Sequence, residues 1–248
     1  MPGVKIITQD PKTWRNIIEA LSTLIDEAVF TFTAEGVKLR AMDPSRIAMV
    51  DLTLAKSYFE DYVCDAETHV GVNLNELGKI MKRAAGDKLE VEAVEGRLRV
   101  TFKGKVRRSF SIPLLDLGYE ELPTPNISFN VEAKMLADAV KEALKDAELV
   151  SDYVKVEASI NTLSFYASSD RGEASASFVK EEGALLDLNV KEPSKALYSL
   201  SYLSDMMKAA AASEIVTLRF STDMPLSLAF EIPQGGKITY YLAPRLEG

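Results

Sequence analysis

The second half of this chain repeats the first, so whatever it folds into must be built twice. One half slides onto the other at an offset of roughly 127 to 131 positions, too long for a solenoid unit and long enough for a whole domain. IDEAVFTFTAEGVKLRAMD (25–43) falls on VSDYVKVEASINTLSFYASSD (150–170), and in each a helix precedes an alternating strand, a turn, a second alternating strand and an Asp. NLNELGKIMKRA (73–84) falls on SYLSDMMKAAAA (201–212), with Lys79 meeting Lys208. RRSFSIPLL meets KITYYLAPRL, so each half closes on a strand. Between the halves lies LLDLGYEELPTPN (114–126), whose two Pro, one Gly and three acidic residues suit neither helix nor central strand. Its apolar residues Leu115, Leu117, Tyr119 and Leu122 suit a connector lying over a surface better than a free tether. The expected division is an N-terminal domain over 1–116, a connecting loop over 117–126 and a C-terminal domain over 127–248.

The totals allow this. At 248 residues, two domains of about 120 residues can each bury a core. The single Cys64 excludes an internal disulfide framework and a cysteine-rich zinc site, and His69 is also alone. The start MPGVKIITQD lacks an apolar stretch behind a basic head, and no run approaches a membrane span, so an intracellular, soluble protein with no membrane partner is expected. A net charge of −8 argues against a surface uniformly adhesive to polyanions, but not against one segregated basic face.

Asp10-Pro11 is a strong helix start, followed by an apolar face of Trp14, Ile17, Ile18, Leu21, Leu24 and Ile25. Strands are expected at 29–33, 37–42 and 47–54. Asn73 with Glu76 resembles a capping box before a second helix that turns Leu74, Leu77, Met81 and Ala84 inward. Alternating segments at 89–94, 97–103 and 107–114 then read as hairpins. In the second half the spacing predicts a helix over 132–145, strands at 154–160, 163–168, 174–179 and 185–190, a short helix over 202–211, and strands near Thr217, Leu228 and Thr239. The fold class is α+β: two repeated domains, each an antiparallel sheet with two helices on one face.

No phosphate loop, dinucleotide fingerprint, nucleophile elbow or metal-ligand cluster is present in the sequence, so neither a catalytic residue nor a metal or cofactor is expected. A carboxylate-only active site is the competing enzymatic reading. The helices share a polar face rich in cations: Lys12 and Arg15, then Lys79, Lys82 and Arg83, then Lys134, Lys141 and Lys145, then Lys208. Solvated helices are commonly Lys-rich. Equivalent placement of the helices in two repeats would nevertheless gather these charges on one side, where they would hold phosphates without reading bases. No aromatic residues interleave with them, which argues against stacking on single strands.

At these residues the chain is identified as a member of a known family. GVKLRAMDPSRIAMVDLTLAKSYF (36–59) resembles the signature of the sliding clamp family of proliferating cell nuclear antigen, and YVCDAETHVGVNLNELGKIMK (62–82) resembles its second signature. YYLAPR (240–245) resembles the family's terminal motif, and the similarity covers essentially the whole chain. The resemblance implies the DNA clamp fold and a ring of three subunits, alike or different, around double-stranded DNA, with helices lining the hole. It implies partners among DNA polymerases, flap endonucleases, DNA ligases and a clamp loader, and a location in the cytoplasm at the archaeal nucleoid, or in the nucleus of a eukaryotic host. A damage-checkpoint clamp subunit is a nearer alternative than an enzyme.

Carried over residue by residue, Arg15, Lys79, Lys82, Lys141, Lys145 and Lys208 fall on the family's basic channel positions, with Arg83 beside them. Asn16 and Ser22 are uncharged where many clamps have Lys, which implies a weaker grip by the first helix. The pocket for the partners' hydrophobic-aromatic motif maps onto Met42, Arg46, Ile47, Met49, Leu122, Pro123, Pro225, Tyr241, Ala243 and Pro244, with ordinary core as the competing reading for each. Arg46 stands where some members have His. A ring needs two free sheet edges. They are expected at Arg107, Arg108, Phe110 and Ile112 on one side and at Ala174, Ala176 and Phe178 on the other, Lys105, Arg107 and Arg108 facing Glu173, Glu181 and Glu182.

Overall fold

The computed structural model describes residues 3–246. Its contacts divide the chain into unit 1 (1–44, 50–123 and 232–238) and unit 2 (45–49, 124–231 and 239–248). Each unit is therefore discontinuous in sequence.

In chain order the first half gives β1 Val4–Thr8, α1 Pro11–Ser22, β2 Glu27–Thr33, β3 Gly36–Met42, β4 Ala48–Ala55, β5 Asp61–Cys64, β6 Thr68–Asn73, α2 Leu74–Met81, β7 Lys88–Val94, β8 Arg97–Lys103 and β9 Arg107–Pro113. The second half gives β10 Val131–Leu136, α3 Ala137–Glu148, β11 Tyr153–Ser159, β12 Thr162–Ser169, β13 Gly172–Val179, β14 Leu185–Val190, β15 Ser194–Ser199, α4 Leu200–Met206, β16 Ile215–Phe220, β17 Leu226–Ile232 and β18 Gly236–Leu242. Every element of one half has a counterpart in the other. In unit 1 the strands are ordered β5-β1-β7-β8-β9 and β4-β3-β2-β6; in unit 2 they are ordered β14-β10-β16-β17-β18 and β13-β12-β11-β15. Among the described residues no helix is long and apolar enough to cross a membrane.

The helix starts follow from local chemistry. Asp10 accepts a hydrogen bond from the Thr13 amide (3.1 Å), and Pro11 occupies a position whose amide would have no helical partner. Asn73 accepts from the Glu76 amide (2.9 Å), but the return half of the capping box does not form, because the Glu76 carboxylate takes Lys79 Nζ at 2.6 Å instead. The helix pairs α1–α2 and α3–α4 pack within their own units, with Trp14, Ile17, Ile18 and Leu21 buried on α1 and Val140, Ala143 and Leu144 on α3. Full burial of each large aliphatic side chain contributes about 1.5–3 kcal/mol.

The observed register corrects the sequence alignment. Pro11 and Ala137 open equivalent helices 126 residues apart, as do Leu74 and Leu200. The same spacing relates the bond from the Leu74 amide to Asp26 O (2.8 Å) to that from the Leu200 amide to Asp152 O (3.0 Å). Lys208 is thus the counterpart of Lys82, not of Lys79. The helix expected over 132–145 begins only at Ala137, because β10 alternates buried and exposed residues and pairs with both β14 and β16. Two ladders of backbone hydrogen bonds outweigh the helical preference of Glu, Ala, Lys, Met and Leu. Lys134 therefore sits on a strand. The strands β1, β5, β6 and β15 are absent from the sequence expectations. The last two run straight into α2 and α4.

Candidate functional site

Arg15, Lys79, Lys141 and Lys145 lie on α1, α2 and α3, whereas Lys82 and Arg83 follow the end of α2 and Lys208 the end of α4; all are exposed apart from a half-buried Arg15. They differ in what they already hold. Lys79 pairs with Glu76 (2.6 Å), Lys145 with Glu142 (2.7 Å) and Lys208 with Asp205 (3.0 Å), each with a carboxylate three residues earlier. Among the described residues Arg15, Lys82, Arg83 and Lys141 enter none of the ion pairs within 4 Å. The Lys145 ammonium is shifted up and the Glu142 carboxyl down, each chiefly by their shared hydrogen bond. Both groups are fully exposed, so solvent screens this pairing.

The predicted edge strands each end a sheet. β9 is last beside β8, and β13 is last beside β12, both antiparallel. Along β9 and β13 residues alternate between exposed and half-buried with none fully buried, as in strands covered on one face only. Phe110 meets Phe102 edge-on at 6.0 Å in unit 1, and Phe178 meets Phe165 at 5.6 Å in unit 2. The repeat counterparts of these two strands are not bare. In unit 1, β4, the counterpart of β13, is flanked by the returning segment Ile232–Ile238, with the Ala55 amide on Gly235 O (2.9 Å). In unit 2, β18, the counterpart of β9, leads into Ala243, whose amide bonds Ile47 O (2.9 Å) in the segment Ser45–Met49. Arg108 is half-buried and engaged within its own unit. Its guanidinium holds Asp87 at 2.6 Å and Arg83 O at 3.3 Å, and it lies 5.1 Å from the Phe102 ring centre.

Of the ten residues assigned to the partner pocket, none is fully buried. In unit 1, Met42 ends β3 and the connector carries Leu122 and Pro123. This connector is pinned at three points. The Leu115 amide bonds Gly71 O (2.9 Å), Tyr119 stacks on His69 at 3.8 Å, and Arg40 Nη1 donates to Leu122 O at 2.8 Å while its Nε donates to Asp51 at 2.7 Å. A Cβ at Gly71 would lie 2.2 Å from Leu115 O, so this crossing requires glycine. In unit 2, Ile47 is 41% exposed and Arg46 is held in the left-handed region (φ 58°), an uncommon conformation for a residue with a side chain. Pro225, Tyr241 and Pro244 are half-buried, Ala243 is exposed, and Met49 is half-buried on β4. The Arg245 amide bonds Leu197 O (2.8 Å) and its guanidinium lies over the Tyr153 ring at 4.1 Å, which fixes the end of this stretch. In the sequence Arg40 is not singled out, and Tyr119 stands out only as an apolar residue of the connector and His69 only as the lone histidine. The alternation of β3 puts Arg40 on the same polar side as Lys38, so the pattern gives no signal for its contact with the connector.

Known proteins agree over the full length. The model of the proliferating cell nuclear antigen N-terminal domain matches residues 8–108, and that of its C-terminal domain matches residues 124–245. A DNA polymerase sliding clamp of Thermofilum pendens is 45% identical over 246 residues, covering 98% of this chain and 100% of the relative. DNA polymerase sliding clamp 1 of Pyrobaculum aerophilum is 42% identical over 240 residues, 96% of each. Among solved structures, PCNA from Thermococcus kodakaraensis superposes with a TM-score of 0.93 at 33% identity, and a chain of the PCNA2–PCNA3 complex from Sulfolobus tokodaii with 0.91 at 30%. Each covers 98% of this chain and 100% of its own.

Proposed function

The chain belongs to the proliferating cell nuclear antigen family, and on that premise we propose that it is a DNA sliding clamp, three copies closing into a ring around duplex DNA. The observation that carries the assembly is the pair of bare edges. β9 and β13 lack the neighbouring chain segment that their repeat counterparts β18 and β4 possess. Unpaired edges are a liability unless something covers them. β9 of one copy adding to β13 of the next is a head-to-tail contact, which makes a ring when the rotation closes. Phe110, Ile112, Ala174, Ala176 and Phe178 are its apolar contribution. Lys105 and Arg107 lie near one edge and Glu173, Glu181 and Glu182 near the other. Such exposed charges are worth under about 1 kcal/mol each, so they select register more than they add affinity.

The proposed mechanism is topological. The ring holds a bound enzyme near its template, and processivity comes from raised effective concentration without a chemical step. Cations on the helices meet phosphates irrespective of sequence. Met42, Leu122 and Pro123 in unit 1, and Arg46, Ile47, Met49, Pro225, Tyr241, Ala243 and Pro244 in unit 2, are assigned to the hydrophobic-aromatic peptides of polymerase, flap endonuclease and ligase. Their partial exposure supports this assignment over a packing role. Native mass measurement tests the assembly: the wild type should be a trimer, and Phe110→Asp and Phe178→Asp should each be monomeric. Retained trimers in both variants would mean other edges; a wild type monomeric at every concentration would end the reading of a ring of like subunits.

A further inference from the structure

The observed register, in which equivalent helices start 126 residues apart, allows the two helix faces to be compared position by position. Two cation positions are common to both: Arg15 corresponds to Lys141, and Lys82 to Lys208. The others diverge. Lys12, Lys79 and Arg83 of unit 1 correspond to Asp138, Asp205 and Ala209 of unit 2, and the uncharged Asn16 and Ser22 correspond to Glu142 and Glu148. Glu19 and Glu76, which correspond to Lys145 and Tyr202, run the other way. Over α1 and the stretch 74–83, unit 1 carries five cations and two carboxylates; over α3 and the equivalent stretch 200–209, unit 2 carries three cations and five carboxylates. The net is therefore +3 against −2.

Pairing sharpens the contrast. Two of unit 2's three cations, Lys145 and Lys208, already hold a carboxylate of their own helix, which leaves Lys141. In unit 1 only Lys79 is held in this way among the described ion pairs, which leaves Lys12, Arg15, Lys82 and Arg83 beside it. A phosphate approaching Lys145 or Lys208 must displace Glu142 or Asp205 and then remain within a Debye length, about 8 Å at physiological salt, of their negative charge. An approach to Lys82 or Arg83 meets no such competitor among the described ion pairs.

We infer that the grip on duplex phosphates is concentrated on the helix face of unit 1, through Arg15, Lys79, Lys82 and Arg83, while the carboxylates of unit 2 hold its helix face off the DNA. The inference rests on the sliding clamp reading and adds to it an uneven contact around the duplex. Half of each copy grips and half repels. Such an arrangement keeps the duplex enclosed while limiting the number of counterions released at any moment, and so limits how firmly the clamp is fixed in place.

A fluorescent linear duplex, threaded through the assembled clamp at low salt and followed by anisotropy as salt is raised, gives the slope of log affinity against log salt. Each phosphate neutralised contributes about −0.9 to that slope. The Lys79→Ala, Lys82→Ala, Arg83→Ala triple variant should flatten the slope by about 2 or more, and the Lys141→Ala, Lys145→Ala, Lys208→Ala variant by less than about 1. Asp138→Asn with Glu142→Gln and Asp205→Asn should steepen it. Equal flattening by the two alanine variants, or no change on removing the three carboxylates, overturns the inference even if the wild type binds duplex well. A wild type with no salt-dependent binding at all would instead remove the sliding clamp reading on which it rests. Native mass, unchanged in every variant, separates these outcomes from loss of the ring.

Discussion

Replacing Glu90 by Gln should destabilise the protein by about 2 kcal/mol. Glu90 lies on β7 with its side chain only 4% exposed, an uncommon place for a carboxylate. Lys103 donates to it from β8, Lys5 Nζ lies 3.2 Å away on β1, and Arg107 reaches 4.0 Å from β9. Removing one member of a fully buried ion pair costs about 3–5 kcal/mol. An exposed pair is worth about 0–1 kcal/mol. Here the acid is buried but Lys5 and Lys103 keep 37% and 35% of their side-chain surface, so they can rehydrate, and the cost falls between the two limits. At about 4 °C per kcal/mol for a unit of this size, the melting temperature should fall by about 8 °C. The pH dependence fixes the sign. Burial alone would raise the Glu90 carboxyl, but hydrogen bonds from Lys103 and Lys5 outweigh it and hold the group below its ordinary value. A carboxyl lowered in the folded state stabilises above its unfolded value, about 4.3, and that contribution is lost as pH falls through the lower folded one. Calorimetry across pH 2 to 7 should therefore show the gap between wild type and Glu90→Gln full at neutrality and closing at the acid end. A gap under about 1 °C at pH 7, or one that stays constant into acid, would refute the reasoning.

Two further outcomes can be checked directly. Leu122→Ala and Ile47→Ala, made separately, should each weaken a clamp-interacting peptide by tenfold or more in calorimetry, as loss of an aliphatic anchor of about 2 kcal/mol requires, and unchanged affinity in both would withdraw the pocket assignment. Gly71→Ala should unpin the connector, because the new methyl group and Leu115 O cannot share the space; hydrogen exchange should show the Leu115 amide losing its protection, and full protection would mean the crossing relaxes without releasing the strap.

Much of this architecture was legible in the sequence because it is written twice. The amphipathic stripe of α1 and its Asp10-Pro11 start were readable from local chemistry alone, as was the Asn73 cap of α2. What misled the reading was context that no window of sequence contains. Residues 132–136 have helical preferences and alternate only because two strands flank them. The spacing between repeats is 126 residues at α2 but 129 at β8 and β9, and an alignment at the larger value pairs Lys79 with Lys208 where the fold pairs Lys82 with it. Arg108 looked like an edge cation by spacing, yet Asp87, distant in sequence, claims it. The connector was recognisable by composition. Its three fastenings were not, because they depend on a backbone crossing at Gly71, a ring stack and a carbonyl contact that leave no periodic trace.

The discontinuity of the two units has a consequence for biosynthesis. Unit 1 requires residues 232–238, which leave the ribosome well after the other segments of that unit. Until then the nascent N-terminal unit has β4 bare along the side where that segment will lie, in addition to the bare β9. Domains generally fold as they emerge, but this one must wait with an open edge, in the state where strands recruit the wrong neighbour. Splitting the gene at the connector would make the delay permanent, since each product would lack the few residues that its own unit borrows from the far half of the polypeptide. Two fragments translated side by side could complete each other, whereas either one alone would be left to aggregate.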